Sequence, residues 1–343
     1  MGSSVTPSPA PSADFLAVFR SHADAGGAMA FADFMRLALY DPQVGYYRRA
    51  LRRVGYGGGT DFFTASTSGP VFGELVVAAC TALLRGRDPR DVTFVEIGAE
   101  PGEPATAGAG GGVLNGVAHP FGAARTVRVG EPLALSGPCV IFSNELFDAQ
   151  PFRRFVFRRE GWRELGVTLR EGGLQSIEMP RPPAALPAGT LPPAAPEGYV
   201  IDAPLAAAAL LEQIAAQPWT GLFVACDYGK SWPELSEACP TGTARAYHRH
   251  TQSNDLLARP GEQDLTCHVC WDWLAAVLDR HGFADTRVDS QETFWVRHAA
   301  AFIAQTSAAE ATRFSRKKLS LLQLLHPAHL GQKFQVLHAW RDA

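Results

Sequence analysis

The sequence lacks a surplus of charge of either sign. Its 31 Lys and Arg residues nearly balance its 34 Asp and Glu residues, which leaves a net charge of −3. No basic field is therefore available to nucleic acid or to an anionic membrane, and we expect neither as a partner. The chain also lacks the roughly 18 consecutive apolar residues that a membrane helix needs. We therefore predict no membrane span.

Cysteines are few, at six in 343 residues, and no secretory signal precedes them. Met1–Asp14 is rich in Ser, Pro and Ala, and we predict a disordered leader there. Scattered cysteines in such a chain favour reduced thiols and a cytoplasmic location. Cys267 and Cys270 have the spacing of a zinc-ligand pair. No second pair completes a four-ligand site, so we expect no metal.

Three short apolar runs each end in polar residues or glycine. They are Val92–Ile97, Cys139–Ser143 and Leu222–Cys226. Runs of this length and composition are typical of buried parallel strands. We therefore predict an α/β fold in which these three strands lie adjacent or near one another in one sheet. Doubly wound sheets bind ligands at the carboxyl ends of their strands, which is where the polar residues fall.

The rest of the chain supplies helices around this sheet and an insert. We predict helices within Met29–Leu39, Leu205–Gln217, Trp271–His281 and Ala299–Leu325, and a last strand at Lys333–Leu337. Alternating segments at Phe155–Phe157, Trp162–Val167 and Leu174–Met179 predict an antiparallel insert. The predicted organisation is a leader at 1–14, a helical region at 15–90 that contributes to the cofactor site, and an α/β domain at 91–343 with its insert around 152–200.

Two stretches have the composition of a ligand site. Glu96–Gly102 is a strand followed by spaced glycines, a pattern that lets backbone approach a cofactor, although such a turn is more often only a turn. Ser143–Pro151 follows the second strand, where Asn144 is either a helix cap or a cofactor contact.

The chain resembles the MidA family of class I S-adenosylmethionine (SAM)-dependent methyltransferases, which includes the mitochondrial complex I assembly arginine methyltransferase. The resemblance lies in short blocks that occur in one order from about residue 28 to residue 337. These blocks are Phe31–Tyr47, Asp61–Gly73, Phe94–Gly98, Ser143–Pro151, Asp227–Gly229, Arg245–His250, Pro260–His268 and Phe334–Leu337.

The resemblance implies a Rossmann-like methyltransferase sheet with an N-terminal helical region and an inserted antiparallel or lid region. It implies SAM as the methyl donor and a protein side chain, arginine by analogy, as the acceptor. The expected donor-binding residues are Asp61, Thr64, Glu96, Gly98, Gly102, Asn144 and Glu145. Candidates to orient or deprotonate the acceptor are Asp148, Asp227, Tyr228, Tyr247, His250 and Asp264.

The chain departs from the family pattern at several positions. Glu100 replaces a glycine where the carboxylate end of the donor would pass, Pro104 replaces a small or helix-forming residue, and Cys270 replaces an aspartate. Like charges repel at short range, so we expect weak donor binding.

Gly98–Pro138 is also short. It has 41 residues, where a class I methyltransferase needs roughly 55–70. We therefore expect a truncated first half of the sheet, in which the strand before Glu131 is the third and the second is lost. Glu131 is then the one candidate to hold the ribose.

Two functions remain open from the sequence. The first is an active protein methyltransferase, and the second is a catalytically impaired protein of the same fold that acts as a binding or assembly module. The sequence leaves the identity of the acceptor open, and whether the chain forms a homodimer. Binding of S-adenosylhomocysteine distinguishes the two functions.

Overall fold

The structure is a computed structural model that describes residues 10–49, 53, 69–99, 112–170, 173–180, 186–312 and 315–342. The helices in the described residues are α1 (Ala13–His22), α2 (Phe31–Tyr40), α3 (Pro70–Ala82), α4 (Leu205–Ala215), α5 (Trp232–Glu237), α6 (Trp271–Arg280), α7 (Gln291–His298), α8 (Ala300–Ala309) and α9 (Arg316–Leu325).

The strands alternate with these helices. In chain order they are β1 (Ala28–Ala30), β2 (Thr93–Ile97), β3 (Ala123–Val127), β4 (Gly137–Asn144), β5 (Arg153–Arg158), β6 (Gly161–Arg170), β7 (Gly173–Glu178), β8 (Val200–Ala203), β9 (Trp219–Asp227), β10 (Gly229–Lys230), β11 (Arg245–His248), β12 (Thr251–Ser253), β13 (Asp264–Thr266), β14 (Val269–Cys270), β15 (Ala284–Ser290) and β16 (Gln335–Arg341).

The chain divides into two compact units. We call the first the insert unit; it comprises the described residues of Met1–Leu51, Ala149–Ala207 and Lys230–Cys270. We call the second the sheet unit; it comprises those of Arg52–Asp148, Ala208–Gly229 and Trp271–Ala343. None of the described helices combines the length and the apolar character needed to cross a bilayer.

A six-stranded sheet forms the sheet unit, in the order β15-β16-β9-β4-β2-β3. Strands β3, β2, β4 and β9 are parallel to one another, and β16 and β15 complete the sheet in antiparallel pairing. The expectation that the three apolar runs lie side by side is confirmed, because β2, β4 and β9 are consecutive in this order. Their carboxyl ends therefore lie along one edge.

One core cluster of the sheet unit packs between this sheet and helices α3, α7 and α9. Phe72 on α3 packs edge-on against Trp295 on α7, with ring centroids 5.9 Å apart. Phe94 and Phe142, from neighbouring strands, stack at 5.8 Å. Their side chains are almost completely buried, so this aromatic layer fixes the strands whose ends carry the polar residues.

The expectation about the lost strand is wrong in one respect. Strand β3 pairs directly with β2 over five residues. It therefore takes the place of the second strand of a methyltransferase sheet, next to the first, and not the place of the third. The reason is length: Gly98–Gly122, at 25 residues, is long enough for one parallel crossover of a dozen residues or more but leaves little room for two. Within the described residues no strand lies beyond β3, which leaves the sheet short on this side.

The predicted helical stretch at Ala299–Leu325 is confirmed, and the structure divides it into two helices, α8 and α9. Helix α8 ends at Ala309, and α9 begins after Ser315, whose hydroxyl accepts a hydrogen bond from the backbone N–H of Lys318. A serine at this position starts a new helix and does not continue an old one.

The insert unit contains a five-stranded antiparallel sheet, as the alternating segments predicted. Strand β6 pairs with β1, β5 and β7, and β5 also pairs with β8. The N-terminal helices α1 and α2 belong to this unit and bury an aromatic cluster. Phe31 on α2 lies 5.1 Å from Phe152, ring centroid to ring centroid. A smaller sheet, β12-β11-β13, carries the polar motifs near residues 245–266.

Candidate functional site

The turn after β2 requires a glycine. Gly98 has a φ of +83°, and its N–H donates to the carbonyl of Val127 at 2.9 Å. A Cβ at this position would lie 2.9 Å from Cδ1 of Leu146, a side-chain end that can shift, so the positive φ is what favours glycine here. The turn therefore brings the ends of β2, β3 and the segment after β4 together at one edge of the sheet.

Glu96 holds the backbone just beyond the glycine-rich segment. Its side chain is buried on β2, and Oε2 accepts a hydrogen bond from the N–H of Val113 at 2.6 Å. A Cβ on Gly112, which has a φ of +126°, would lie 2.6 Å from the same oxygen. Burial raises the pKa of Glu96 from 4.5 to about 7, opposed by the hydrogen bond from Val113. This hydrogen bond thus links the backbone at Val113 to strand β2.

The carboxyl ends of β4 and β9 bring three polar side chains together. The Nδ2 of Asn144 donates to Oε1 of Glu145 at 3.0 Å, and the phenol of Tyr228 donates to Oε2 of Glu145 at 3.0 Å. Glu145 has a φ of +51°, a strained conformation for a residue with a side chain. Strain of this kind clusters at ligand sites, so it marks this strand end as a candidate site.

Asp227 fixes the loop that follows Glu145. Its buried carboxylate accepts hydrogen bonds from the N–H groups of Phe147 at 2.9 Å, Asp148 at 3.4 Å and Tyr228 at 2.9 Å. Burial raises the pKa of Asp227 to about 7, against the opposing effect of these donors. The carboxylate is occupied with backbone donors, which suits a residue that positions its neighbours. Asp148 itself is 1% exposed.

Glu131 lies four residues beyond the end of β3. Its Oε2 accepts a hydrogen bond from the N–H of Arg128 at 2.8 Å, which closes a tight turn after the strand. Because β3 is the neighbour of β2, this acidic residue follows the second strand of the sheet. The sequence had placed Glu131 after the third strand, so its position after the strand next to β2 is a result of the structure.

The remaining acceptor-side candidates lie in the insert unit. Tyr247 on β11 is the register partner of Asp264 on β13. The Oδ1 of Asp264 accepts hydrogen bonds from the phenol of Tyr47 and from the N–H of Leu265, both at 2.9 Å. Asp264 is 4% exposed, whereas His250 lies in the exposed turn between β11 and β12 with a φ of +63°. Tyr47 was not singled out from the sequence, since nothing local links it to a residue 217 positions away.

The structure thus brings Glu96, Gly98, Asn144, Glu145, Asp148, Asp227 and Tyr228 into the sheet unit, and Tyr247, His250 and Asp264 into the insert unit. Three expected donor-binding residues, Asp61, Thr64 and Gly102, lie outside the described residues, as does Glu100.

Comparison with known proteins gives consistent results. The model of a family described as a putative S-adenosyl-L-methionine-dependent methyltransferase matches residues 126–288. The zebrafish (Danio rerio) protein arginine methyltransferase NDUFAF7, mitochondrial, is 24% identical over 301 residues, which cover 73% of this chain and 68% of the relative.

Two solved structures from Burkholderia thailandensis have the same fold. One is a COG1565 superfamily member and likely methyl transferase bound to S-adenosyl-homocysteine; it is 25% identical, with a TM-score of 0.81 over 98% of this chain and 96% of that one. The other is an uncharacterised COG1565 superfamily protein in its native form, 24% identical with a TM-score of 0.77 over the same shares of the two chains.

Proposed function

We propose that this chain is an S-adenosyl-L-methionine-dependent methyltransferase of the MidA-like family, and that it methylates a side chain of a protein, with arginine as the acceptor. The observation that carries the proposal is the meeting of Asn144, Glu145 and Tyr228 at the carboxyl ends of two adjacent parallel strands. This edge is where an α/β sheet of this kind binds its ligand.

The residues at this edge fit the methyl donor. The Oδ1 atom of Asn144 is buried and has no hydrogen-bond partner among the described residues. Such an acceptor is costly unless a ligand donor, such as an adenine amine or a ribose hydroxyl, reaches it. Gly98 ends β2 at this edge with a φ of +83° and no side chain, which lets a ligand approach the backbone there. Asn144 and Gly98 would therefore hold the donor, and Glu131 follows the strand next to β2.

When bound, the donor supplies an electrophilic methyl group on a sulfonium, so the protein's task is mainly to align the acceptor. Glu145 follows β4, and its carboxylate, unlike that of the buried Asp148, is placed to pair with a guanidinium. We propose that Glu145 orients the acceptor nitrogen and that Asp227 acts only through the loop it holds. The hydrogen bonds from Asn144 and Tyr228 fix the Glu145 side chain in one position.

Arginine as the acceptor rests on two observations. The zebrafish relative is named as an arginine methyltransferase. The candidate residues at the strand ends of the sheet unit, Glu145 and Tyr228, are acidic and phenolic, as guanidinium recognition favours.

The test is methyl transfer from isotope-labelled donor to proteins of a bacterial lysate, followed by hydrolysis and amino-acid analysis. We expect label in methylarginine, with loss of the label in Glu145→Gln. Label in methyl-lysine would overturn the arginine assignment alone. No transfer to any acceptor, together with no binding of S-adenosylhomocysteine, would favour the binding or assembly module.

A further inference from the structure

A second cluster of ligand-type side chains lies in the sheet unit, away from the strand ends described above. Asp289 on β15, His298 at the end of α7 and His338 on β16 each offer one donor atom, and these atoms all lie within 4.8 Å of one another. His338 pairs in register with Val224, three residues before the end of β9. At about 3.3 Å per residue, the cluster is about 10 Å down the sheet from Asp227.

We propose that Asp289, His298 and His338 bind a divalent transition-metal ion of the Zn²⁺ type. The donor set is two imidazole nitrogens and one carboxylate oxygen, which is a set that zinc accepts, with a water as the fourth ligand. The spacing also fits. The Nε2 of His338 lies 3.4 Å from Oδ2 of Asp289, and neighbouring ligands of a tetrahedral Zn²⁺ ion are about 3.4 Å apart when each bond is about 2.0–2.1 Å.

His298 supplies the second observation that points to a ligand. Its Nε2 atom is buried, and no group within the described residues forms a hydrogen bond with it. The ring packs beside His338, with centroids 5.5 Å apart, and beside Phe294 at 5.0 Å.

The three elements that carry the cluster are fixed to one another. Asp289 pairs with Val336 in the β15–β16 ladder. Helix α7 starts directly after β15, where the Ser290 hydroxyl accepts from the N–H of Thr293, and the N–H of Gln291 donates to the carbonyl of Phe334. His298 is therefore held over the sheet by an anchored helix of two turns. The site needs small side-chain rotations and no change of backbone.

An entry path is present. His298 and His338 line a surface cleft of about 200 Å³, together with Arg287 and Trp340. The cleft is wide enough to admit a hydrated ion and to leave a water as the fourth ligand. A bound metal would tie the end of α7 to the last two strands, which is a structural role and requires no part in methyl transfer.

Arg297 competes with the metal for Asp289. Its Nη1 lies 2.9 Å from Oδ2 and 3.1 Å from Oδ1 of Asp289. The Arg297 side chain is 46% exposed, so the pair is weak and its guanidinium can turn to solvent when a metal binds. Removing this guanidinium should therefore strengthen metal binding, whereas removing one of the three ligands should weaken it.

The test is calorimetric titration of ZnCl₂ into the full-length protein after treatment with a chelator. We expect one Zn²⁺ per chain, binding weakened at least about 10- to 100-fold in His298→Gln and in His338→Gln, and tighter binding in Arg297→Gln. The matched control is His326→Gln, which disrupts an exposed pair of histidines, His326 and His329, whose rings are 5.2 Å apart. This variant should bind Zn²⁺ as the wild type does.

A cobalt titration identifies the donors independently. Co²⁺ in the proposed site should give the visible absorption of nitrogen and oxygen ligation, without the near-ultraviolet band of cobalt–thiolate bonds. No zinc binding by the wild type would overturn the proposal. Equal binding by wild type and His298→Gln, loss of binding in the His326→Gln control, or a thiolate band would also overturn it.

Discussion

The phenol of Tyr228 donates a hydrogen bond to Oε2 of Glu145 at 3.0 Å, and this bond joins the ends of two adjacent parallel strands. Glu145 adopts a φ of +51°, which is unfavourable for a glutamate unless its surroundings hold it there. The Tyr228 ring is in turn held edge-on against Phe334, with centroids 4.6 Å apart. The strand end is therefore ordered before any ligand arrives.

Replacing Tyr228 with phenylalanine tests this order. The ring remains against Phe334, but the hydrogen bond to Glu145 is lost. We expect affinity for S-adenosylhomocysteine to fall about tenfold, the equivalent of about 1.4 kcal/mol, as measured by calorimetry. Tyr199→Phe is the control, since its hydroxyl accepts from the N–H of Cys239 in the insert unit. An unchanged affinity in Tyr228→Phe would show that the bond does not order the site.

Stability should depend on pH through Glu96. Burial raises its pKa in the folded protein to about 7, above its ordinary value of 4.5. The folded state therefore holds this proton more tightly than the unfolded state does. The resulting stability is fully present below pH 4.5 and is lost as the pH rises to about 7. It amounts to about 3 kcal/mol.

Denaturant unfolding of wild type and Glu96→Gln between pH 4.5 and 8 measures this effect. Glutamine cannot titrate, so we expect the variant to lose this part of the decline. Glu164→Gln, which removes a buried carboxylate paired with Arg153 in the insert unit, should retain it. Parallel pH profiles for wild type and Glu96→Gln would contradict the assignment to Glu96.

Gly73 on α3 should not tolerate alanine. A Cβ there would lie 2.2 Å from the carbonyl oxygen of Val113 and 2.8 Å from Cγ2 of Val117. Replacing glycine with alanine inside a helix normally stabilises a protein by about 1 kcal/mol. Here we expect a loss of thermal stability instead, because the new Cβ would clash with these atoms. Thr81→Ala on the same helix serves as the control and should be neutral or stabilising. A Gly73→Ala protein more stable than wild type would refute this close approach.

Glu100→Gly tests an expectation that rests on the sequence alone. Glu100 lies outside the described residues, and the family resemblance places a glycine at this position. If the negative charge opposes the carboxylate of the donor, its removal should improve affinity for S-adenosylhomocysteine about tenfold at low salt. Glu103→Gly, a nearby removal of equal charge, should improve affinity less. Equal gains in the two variants would indicate a general effect of charge.

The sequence predicted the sheet well because its signals are local. Apolar runs such as Cys139–Ser143 are buried strands in almost any α/β context, and the polar residues after them mark the ligand edge. The placement of β3 could not be predicted this way. Whether Ala123–Val127 pairs with β2 or lies further out depends on how the preceding crossover packs, a non-local property. The break before α9 depended on Ser315, a single residue in a long helical pattern.

The site was predictable to the same extent. Asn144 and Glu145 follow directly from the end of a predicted strand. The hydrogen bond of Tyr228 to Glu145 joins residues 83 positions apart, and the pairing of Tyr47 with Asp264 spans 217 positions. No local pattern encodes either contact. The cluster of Asp289, His298 and His338 could not be predicted for the same reason, because these residues do not have the spacing of a known metal-binding motif.

Calorimetric titration of S-adenosylhomocysteine into the wild type and into Asn144→Ala tests the central claim most directly. Asn144 carries the buried acceptor at the edge where we place the donor. We predict saturable binding of one molecule per chain by the wild type, and binding about tenfold weaker in a folded Asn144→Ala protein. Absence of binding by the wild type, or equal affinities in the two proteins, would contradict the account.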